Sequence, residues 1–181
     1  MATLVRLACD TDLDTIVAIS NRAAAETAAN FAIEPEPLDE WRAAFEQTRE
    51  RMPWFVAEID GGVVAFCRAT PWKGRCAYAH SVETTVYVAP EHHGQGVGRA
   101  LYERLIETLR AQGYRSAIGG ITQPNPASVR LHESFGFARV ALFPRIGWKF
   151  GAWHDVGYWQ LDLAPEAGEP VSIRLVRDVV Q

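Results

Sequence analysis

Residues 82–99 constrain this chain more than any other stretch. They run Val82-Glu83-Thr84-Thr85-Val86-Tyr87-Val88-Ala89-Pro90-Glu91-His92-His93-Gly94-Gln95-Gly96-Val97-Gly98-Arg99. A β-branched run leads into a turn of alternating glycines, and an unbroken helical pattern follows. A strand that feeds a glycine-rich turn into a helix start leaves backbone N–H groups free, and the helix dipole aims them at an anion. Glycine lets the main chain approach a bulky phosphate and take positive φ without a steric penalty. The segment therefore predicts a phosphate grip for a nucleotide-like cofactor.

Composition narrows the class. A chain of 181 residues is most simply one globular domain with a full core. A net charge of -4 and the lack of a basic stripe argue against bulk nucleic-acid binding. Cys9, Cys67 and Cys76 are odd in number and lack C-x-x-C spacing, so neither a disulfide framework nor a zinc site is indicated. His92-His93 and His154-Asp155 are isolated pairs, and no metal is assigned to them. No apolar run has the length of a membrane span and no leader pattern is visible, so a cytoplasmic protein is expected. Six tryptophans, three of them late in the chain (Trp148, Trp153, Trp159), fit either core packing or an interface.

Periodicity predicts a strand near 3–8, a helix to about 28 behind a capping-box-like start at 11–14, and a helix over 38–51. Strands at 54–59 and 63–72 flank Asp60-Gly61-Gly62, a hairpin signal, and a long strand is expected over 77–88. After the glycine turn come a helix to Gly113, a strand at 114–121, a short helix at 127–135, and strands at 137–146 and 153–163. The order β-α-α-β-β-β-α-β-α-β-β predicts an α/β fold, an α+β mixed sheet flanked by helices. Residues 1–163 form the expected domain. Residues 164–181 turn to Pro, Glu and Gly and read as an appendage, with a short strand near 171–176.

Which cofactor the turn holds is narrowed by spacing. A Rossmann fingerprint needs G-x-G-x-x-G and an acid about 20 residues on. Here the glycines alternate, and residues 114–118 contain no acid. A P-loop needs Lys-Ser/Thr after its glycines, where Arg99-Ala100 stands. The segment instead resembles the pyrophosphate-binding motif Q/R-x-x-G-x-G/A of the GNAT superfamily of N-acetyltransferases. Gly96-Val97-Gly98 matches its end, and His93 stands where Gln or Arg is usual. Residues Pro124-Asn125-Pro126-Ala127-Ser128-Val129-Arg130-Leu131-His132-Glu133-Ser134-Phe135-Gly136-Phe137 resemble that superfamily's second block of cofactor contacts. Pro71-Trp72-Lys73, Glu83-Thr84-Thr85-Val86-Tyr87-Val88 and Trp153-His154-Asp155-Val156-Gly157-Tyr158-Trp159-Gln160-Leu161 resemble the phosphinothricin N-acetyltransferase family. With Trp54 and Asn30-Phe31, the likeness covers roughly residues 4–163.

The resemblance implies a GNAT-like fold, acetyl-CoA as cofactor, a small amino-acid-like acceptor, resistance to a toxic analogue as the outcome, and a homodimer. Amine acetylation needs a base for the ammonium proton, an electrophile for the oxyanion, and a way to release the sulfur. Alternation puts Glu83, Thr85 and Tyr87 on one strand face; spacing alone favours a solvated carboxylate there. The resemblance makes Glu83 the general base. His132 takes the slot of a residue that protonates the departing sulfur, and either acid or base duty suits imidazole. Cofactor contacts are expected from Val86, Tyr87 and Val88 through main-chain groups, from His93, Gly94, Gln95, Gly96, Val97, Gly98 and Arg99 in the turn, and from Asn125, Ser128 and Ser134. Asn125 is read as hydrogen-bonding the cofactor or as setting the splay of adjacent strands, with simple turn chemistry in Pro-Asn-Pro as the plainer alternative. Phe31, Lys73, Arg75, Tyr78 and Thr85 are the expected acceptor-binding residues; without the resemblance Lys73 and Arg75 read as solvated turn charges. Two alternatives stay open: acetylation of another small amine or of a protein N-terminus, and a CoA-binding module without turnover.

Overall fold

The computed structural model describes residues 3–164 and 168–180. Among the described residues four α-helices and seven strands follow in the order β1 (Leu4–Leu7), α1 (Leu13–Glu26), α2 (Leu38–Thr48), β2 (Trp54–Ile59), β3 (Gly62–Pro71), β4 (Ser81–Val88), α3 (Val97–Gln112), β5 (Ser116–Gln123), α4 (Pro126–Ser134), β6 (Ala138–Lys149) and β7 (Ala152–Asp162). They build one sheet in the order β1-β2-β3-β4-β5-β7-β6. All its pairings are antiparallel except β4 with β5. This is the mixed sheet expected from the sequence.

Each strand near the centre is apolar on both sides, because helices cover both faces. Phe55, Ala57, Ala65, Cys67 and Val82 pack under the buried stripe Leu101, Tyr102, Leu105 and Leu109 of α3. The alternate residues Trp54, Val56 and Phe66 pack under Leu13, Ile16, Trp41 and Phe45 of α1 and α2. Burying a large side chain of this kind contributes about 1.5–3 kcal/mol. On the α1/α2 side, the edge-on contacts of Trp41 with Trp54 and Phe66 fix the aromatic layer beneath β4's outer face.

Three local differences from the sequence reading have physical reasons. The long strand begins at Ser81, because Cys76–Tyr78 close a single 3-10 turn. The capping box forms earlier than expected: the Asp12 carboxylate accepts the Cys9 N–H at 2.8 Å, and α1 starts behind it. Residues 171–176 make no strand, because their main chain bonds to ends of other elements. Val171 O accepts from the His80 ring, Arg174 N–H donates to Gln112 O, and Val176 N–H donates to Glu50 O. Val176 is buried beneath this strap.

The strap also explains Gly113, the residue that ends α3 at a φ of 94°. A methyl group there would lie 2.7 Å from Val171 Cγ2. Gly113→Ala is expected to cost at least about 1 kcal/mol through backbone strain and displacement of the strap. The urea midpoint of unfolding checks this; an unchanged midpoint would show that the strap does not press on the turn.

Candidate active site

The parallel ladder between β4 and β5 is short. It spans Ser81–Glu83 against Ser116–Ile118, whereas β4 stays paired to β3 as far as Val88 and β5 to β7 as far as Gln123. Beyond Glu83 the two strands therefore diverge. Main chain at 84–88 keeps a ladder on the β3 side and has no strand on the other. The hydroxyl of Thr84 caps the opening, donating to Ile118 O at 3.3 Å.

α3 starts beside this opening. A Cβ on Gly98 would rest in ordinary contact with Val88 and Leu131, so the helix start is wedged between the end of β4 and α4. Gly94 and Gly96 hold φ near 75° and 81°, and open space lies where their side chains would be. The first bond within the helix is Ala100 N–H to Gly96 O, and no side chain caps the start. The N–H groups of Val97, Gly98 and Arg99 thus precede the ladder and carry the positive end of a 16-residue helix dipole. Such a start is favourable for an anion by about 0.3–1 kcal/mol per charge at an exposed site. The donors and the open cradle fit a diphosphate.

The side chains around the turn are largely engaged with the protein. His93 Nε2 donates to Val88 O at 2.8 Å, and Gln95 Nε2 donates to Glu91 O at 3.0 Å. Both side chains clamp the turn. Arg99 stacks on Phe135 and reaches Ser134 Oγ at 3.5 Å, joining α3 to α4. The Asn125 carbonyl accepts the Ser128 N–H at 3.1 Å and so caps α4.

Glu83 lies on the α1/α2 face of the sheet. Register places it opposite Thr70 on β3 and Ile118 on β5, sharing that face with Arg68, Thr85 and Tyr87. Its carboxylate turns toward β5: a Cβ on Gly120 would meet Glu83 Oε1 at 3.5 Å and the Tyr158 ring at 3.4 Å. Glycine here makes room for the acid, as a glycine inside a strand often does. A cavity of roughly 310 Å³ opens at this point, lined by Glu83 and Phe31 with Tyr158, Thr122, Ile146 and Gly147 among others. Desolvation raises the Glu83 pKa above the ordinary carboxylate value, while the positive charges of Lys73 and Arg68 pull it back. Arg68 is itself stacked between the rings of Trp41 and Trp54.

His132 is placed differently. It is 3 % exposed and sits on the α3 face, where a Cβ on Gly119 would strike its ring. Its Nδ1 donates to Ser128 O at 2.8 Å, since a carbonyl can only accept. Its Nε2 then shares the single Tyr102 hydroxyl proton, at 2.9 Å, with Thr84 Oγ1, to which the same hydroxyl donates at 3.1 Å. Burial lowers the pKa of His132, so the ring is neutral at neutral pH. As built, both nitrogens are bonded within the protein and Glu83 is on the opposite face. The acid or base duty expected from the sequence would have to work through one of these bonded nitrogens.

Among the expected acceptor residues, Phe31 lines the Glu83 cavity and Thr85 shares its face. Lys73 rests over Trp72 and acts on Glu83 through its charge. Arg75 and Tyr78 are exposed on the β3–β4 connection and do not line the cavity. The sequence reading missed Tyr158, Thr122, Ile146, Gly147 and Tyr102. The Gly119-Gly120 pair inside a strand was the available signal, because each glycine marks a close approach.

Comparison with known proteins agrees with this geometry. Residues 16–137 match the model of the acetyltransferase (GNAT) family. The chain is 40% identical over 177 residues to a phosphinothricin N-acetyltransferase of Streptomyces viridochromogenes, covering 98% of this chain and 94% of that one. It is 37% identical to an L-methionine sulfoximine/L-methionine sulfone acetyltransferase of Salmonella typhimurium, covering 90% of this chain and 98% of the relative. A phosphinothricin acetyltransferase of Sinorhizobium meliloti, solved in complex with acetyl-CoA, superposes with a TM-score of 0.90 at 30% identity over 94% of each chain. On the strength of the matched motifs, the shared fold and these near full-length relatives, the chain belongs to the GNAT family of acetyltransferases.

Proposed function

We propose that this protein is an acetyl-CoA-dependent N-acetyltransferase that modifies the α-amine of a small amino-acid analogue of the phosphinothricin, methionine sulfone or methionine sulfoximine type. The observation that carries this reading is the half-buried Glu83 carboxylate. It faces a cavity at the edge of the β4–β5 opening, on the strand whose far end leads to the free start of α3. The cavity walls (Phe31, Tyr158, Ile146, Val156) are mostly apolar, which suits a small side chain rather than an extended polypeptide. The names of the Streptomyces and Salmonella relatives point to the same acceptors.

Bound acetyl-CoA supplies an electrophilic thioester. The N–H groups of Val97, Gly98 and Arg99 would hold its diphosphate, and main chain at Val86, Tyr87 and Val88 would line the path of the arm. Glu83 accepts the proton of the acceptor ammonium, directly or through one water. Desolvation raises its pKa toward that of the amine it must deprotonate, and the charges of Lys73 and Arg68 offset part of that rise. His132 holds α4, Tyr102 and the Thr84 cap in register at the opening, which makes it a positioning residue.

The test is thiol release from acetyl-CoA over a panel of amino-acid analogues. Activity on at least one is expected; binding of CoA with no acceptor turned over would favour the binding-module reading. Glu83→Gln is expected to lower kcat/KM by roughly 10²–10⁴-fold. In the wild type kcat/KM falls as pH drops through the raised pKa of Glu83, because the protonated acid cannot take a proton. The variant should lose that acid limb, and a variant with full activity and an unchanged profile would remove the base. His132→Gln is expected to lose about 1–3 kcal/mol of stability by orphaning Tyr102 OH or Ser128 O, read from urea unfolding. Unchanged stability would show the ring is not part of the buried network.

We further infer a homodimer and a cytoplasmic setting. β6 is an edge strand of the sheet, and Phe143, Ile146, Trp148, Phe150 and Trp153 of the β6–β7 hairpin are each between 45% and 61% exposed. Such a patch on an open edge favours self-association. Sedimentation equilibrium should give a dimer that Trp153→Glu weakens; a monomer at high micromolar concentration would refute it. Cys9, Cys67 and Cys76 are all free thiols, which suits a reducing compartment.

A further inference from the structure

The cavity wall at Phe31 comes from the loop between α1 and α2, which has no regular structure at residues 31–37 apart from bends. Its position is set from the far end of the sheet. Lys149, the last residue of β6, is 7 % exposed, and its ammonium donates to three main-chain carbonyls. These are Ala24 O in the last turn of α1, Asn30 O at 2.7 Å and Ala32 O at 2.7 Å. Three donors meet three acceptors, so the cation is fully satisfied although it has lost most of its water. Ala24 contributes one of the carbonyls that a helix end leaves without an intrahelical partner, where a cation is favoured. Asn30 and Ala32 are the residues on either side of Phe31. The contact is thus a clamp on carbonyls of the two residues that flank Phe31.

The ring has a seat to match. Gly147 lies two residues before Lys149 on the same strand, and a Cβ there would come within 2.5–2.9 Å of three Phe31 ring atoms. His154 stands opposite on β7, its ring centroid 6.1 Å from that of Phe31, and its Nε2 donates to Lys149 O at 3.0 Å. The hairpin thus fixes Lys149 from both ends: its carbonyl by His154 and its ammonium by the loop. The rest of the loop is tied by Tyr87 OH to Ala29 O at 3.3 Å, by Asn30 Nδ2 to Ser20, and by Asn21, whose Nδ2 donates to Glu36 O at 3.0 Å and whose Oδ1 accepts the Glu36 N–H at 2.9 Å.

We propose that Lys149 is a positioning residue for acceptor binding, clamping the carbonyls that flank Phe31 so that its ring closes the Glu83 cavity over Gly147. This rests on the acceptor reading of that cavity. Loss of the clamp frees the loop, and the pocket must then be ordered by the acceptor itself, which lowers affinity without touching Glu83 or the α3 start.

Lys149→Met keeps the apolar stem and removes the donors. The expected result is a rise of at least about tenfold in KM for the acceptor, with kcat and the KM for acetyl-CoA held within about twofold. Amides at 27–34 should exchange with deuterium faster, and Lys149→Arg should restore part of both effects. Gly147→Ala, with Lys149 intact, should raise the acceptor KM by displacing the ring. A folded Lys149→Met protein with unchanged acceptor KM, or with unchanged exchange in the loop, overturns the proposal. If that variant does not fold, unchanged acceptor KM in Gly147→Ala overturns it. Should the wild type acetylate no analogue, the acceptor reading fails, and the exchange measurement still decides whether the clamp exists.

Discussion

The structure depends on where one parallel ladder stops. β4 and β5 pair through only three residues on each strand before they part, yet each remains bonded to its other neighbour for the rest of its length. An opening inside a sheet leaves backbone groups without ladder partners, which is costly unless something satisfies them. Here Thr84 caps one carbonyl with its hydroxyl, and His93 ties off another at Val88. The helix that follows β4 begins at the same point with three uncommitted N–H groups. One discontinuity therefore collects polar main chain from a strand and a helix, and a long anionic ligand with amide groups would complete both.

The same discontinuity sorts the chemistry by face. Strand alternation sends Glu83 toward α1 and α2, into a pocket built from the loop at Phe31 and the far hairpin. It sends Thr84 the other way, to Tyr102 and His132 under α3 and α4. One face is a cavity with a desolvated carboxylate, and the other is a closed hydrogen-bond chain with a neutral imidazole. Adjacent residues on one strand thereby serve separate tasks: a reactive group in a space that a substrate can enter, and a scaffold that keeps the opening at fixed width. Tyr102 and Thr84 hold that scaffold with buried hydroxyls, whose pairing matters more in the low-dielectric interior than it would at the surface.

Much of this was legible in the sequence where the signal is local. Alternating glycines before an amphipathic run give the turn and the helix start, and period-two patterning puts Glu83, Thr85 and Tyr87 on one face. The docking of residues 171–176 as a strap was not legible, since its bonds run to Glu50, His80 and Gln112 at long range. The face on which α4 packs was also hidden: sequence order brings His132 near the site but does not say which side of the sheet receives it. Tyr158, Gly147 and Lys149 escaped for the same reason, because their roles arise from a hairpin folding back across more than a hundred residues to meet a loop near the start. Arg75 and Tyr78 show the converse case. They are close in sequence to the active strand, yet the short turn that precedes it points them to solvent.

The central claim is that main chain at the opening and at the start of α3 receives a diphosphate-bearing ligand. Backbone amide shifts measured while CoA is titrated, and again with pantetheine lacking the diphosphate, test it most directly. CoA should move Val86, Val88, Val97, Gly98 and Arg99 together, whereas pantetheine should move only the strand residues. Shifts under CoA that bypass Val97–Arg99, or that cluster on another surface, would contradict the account.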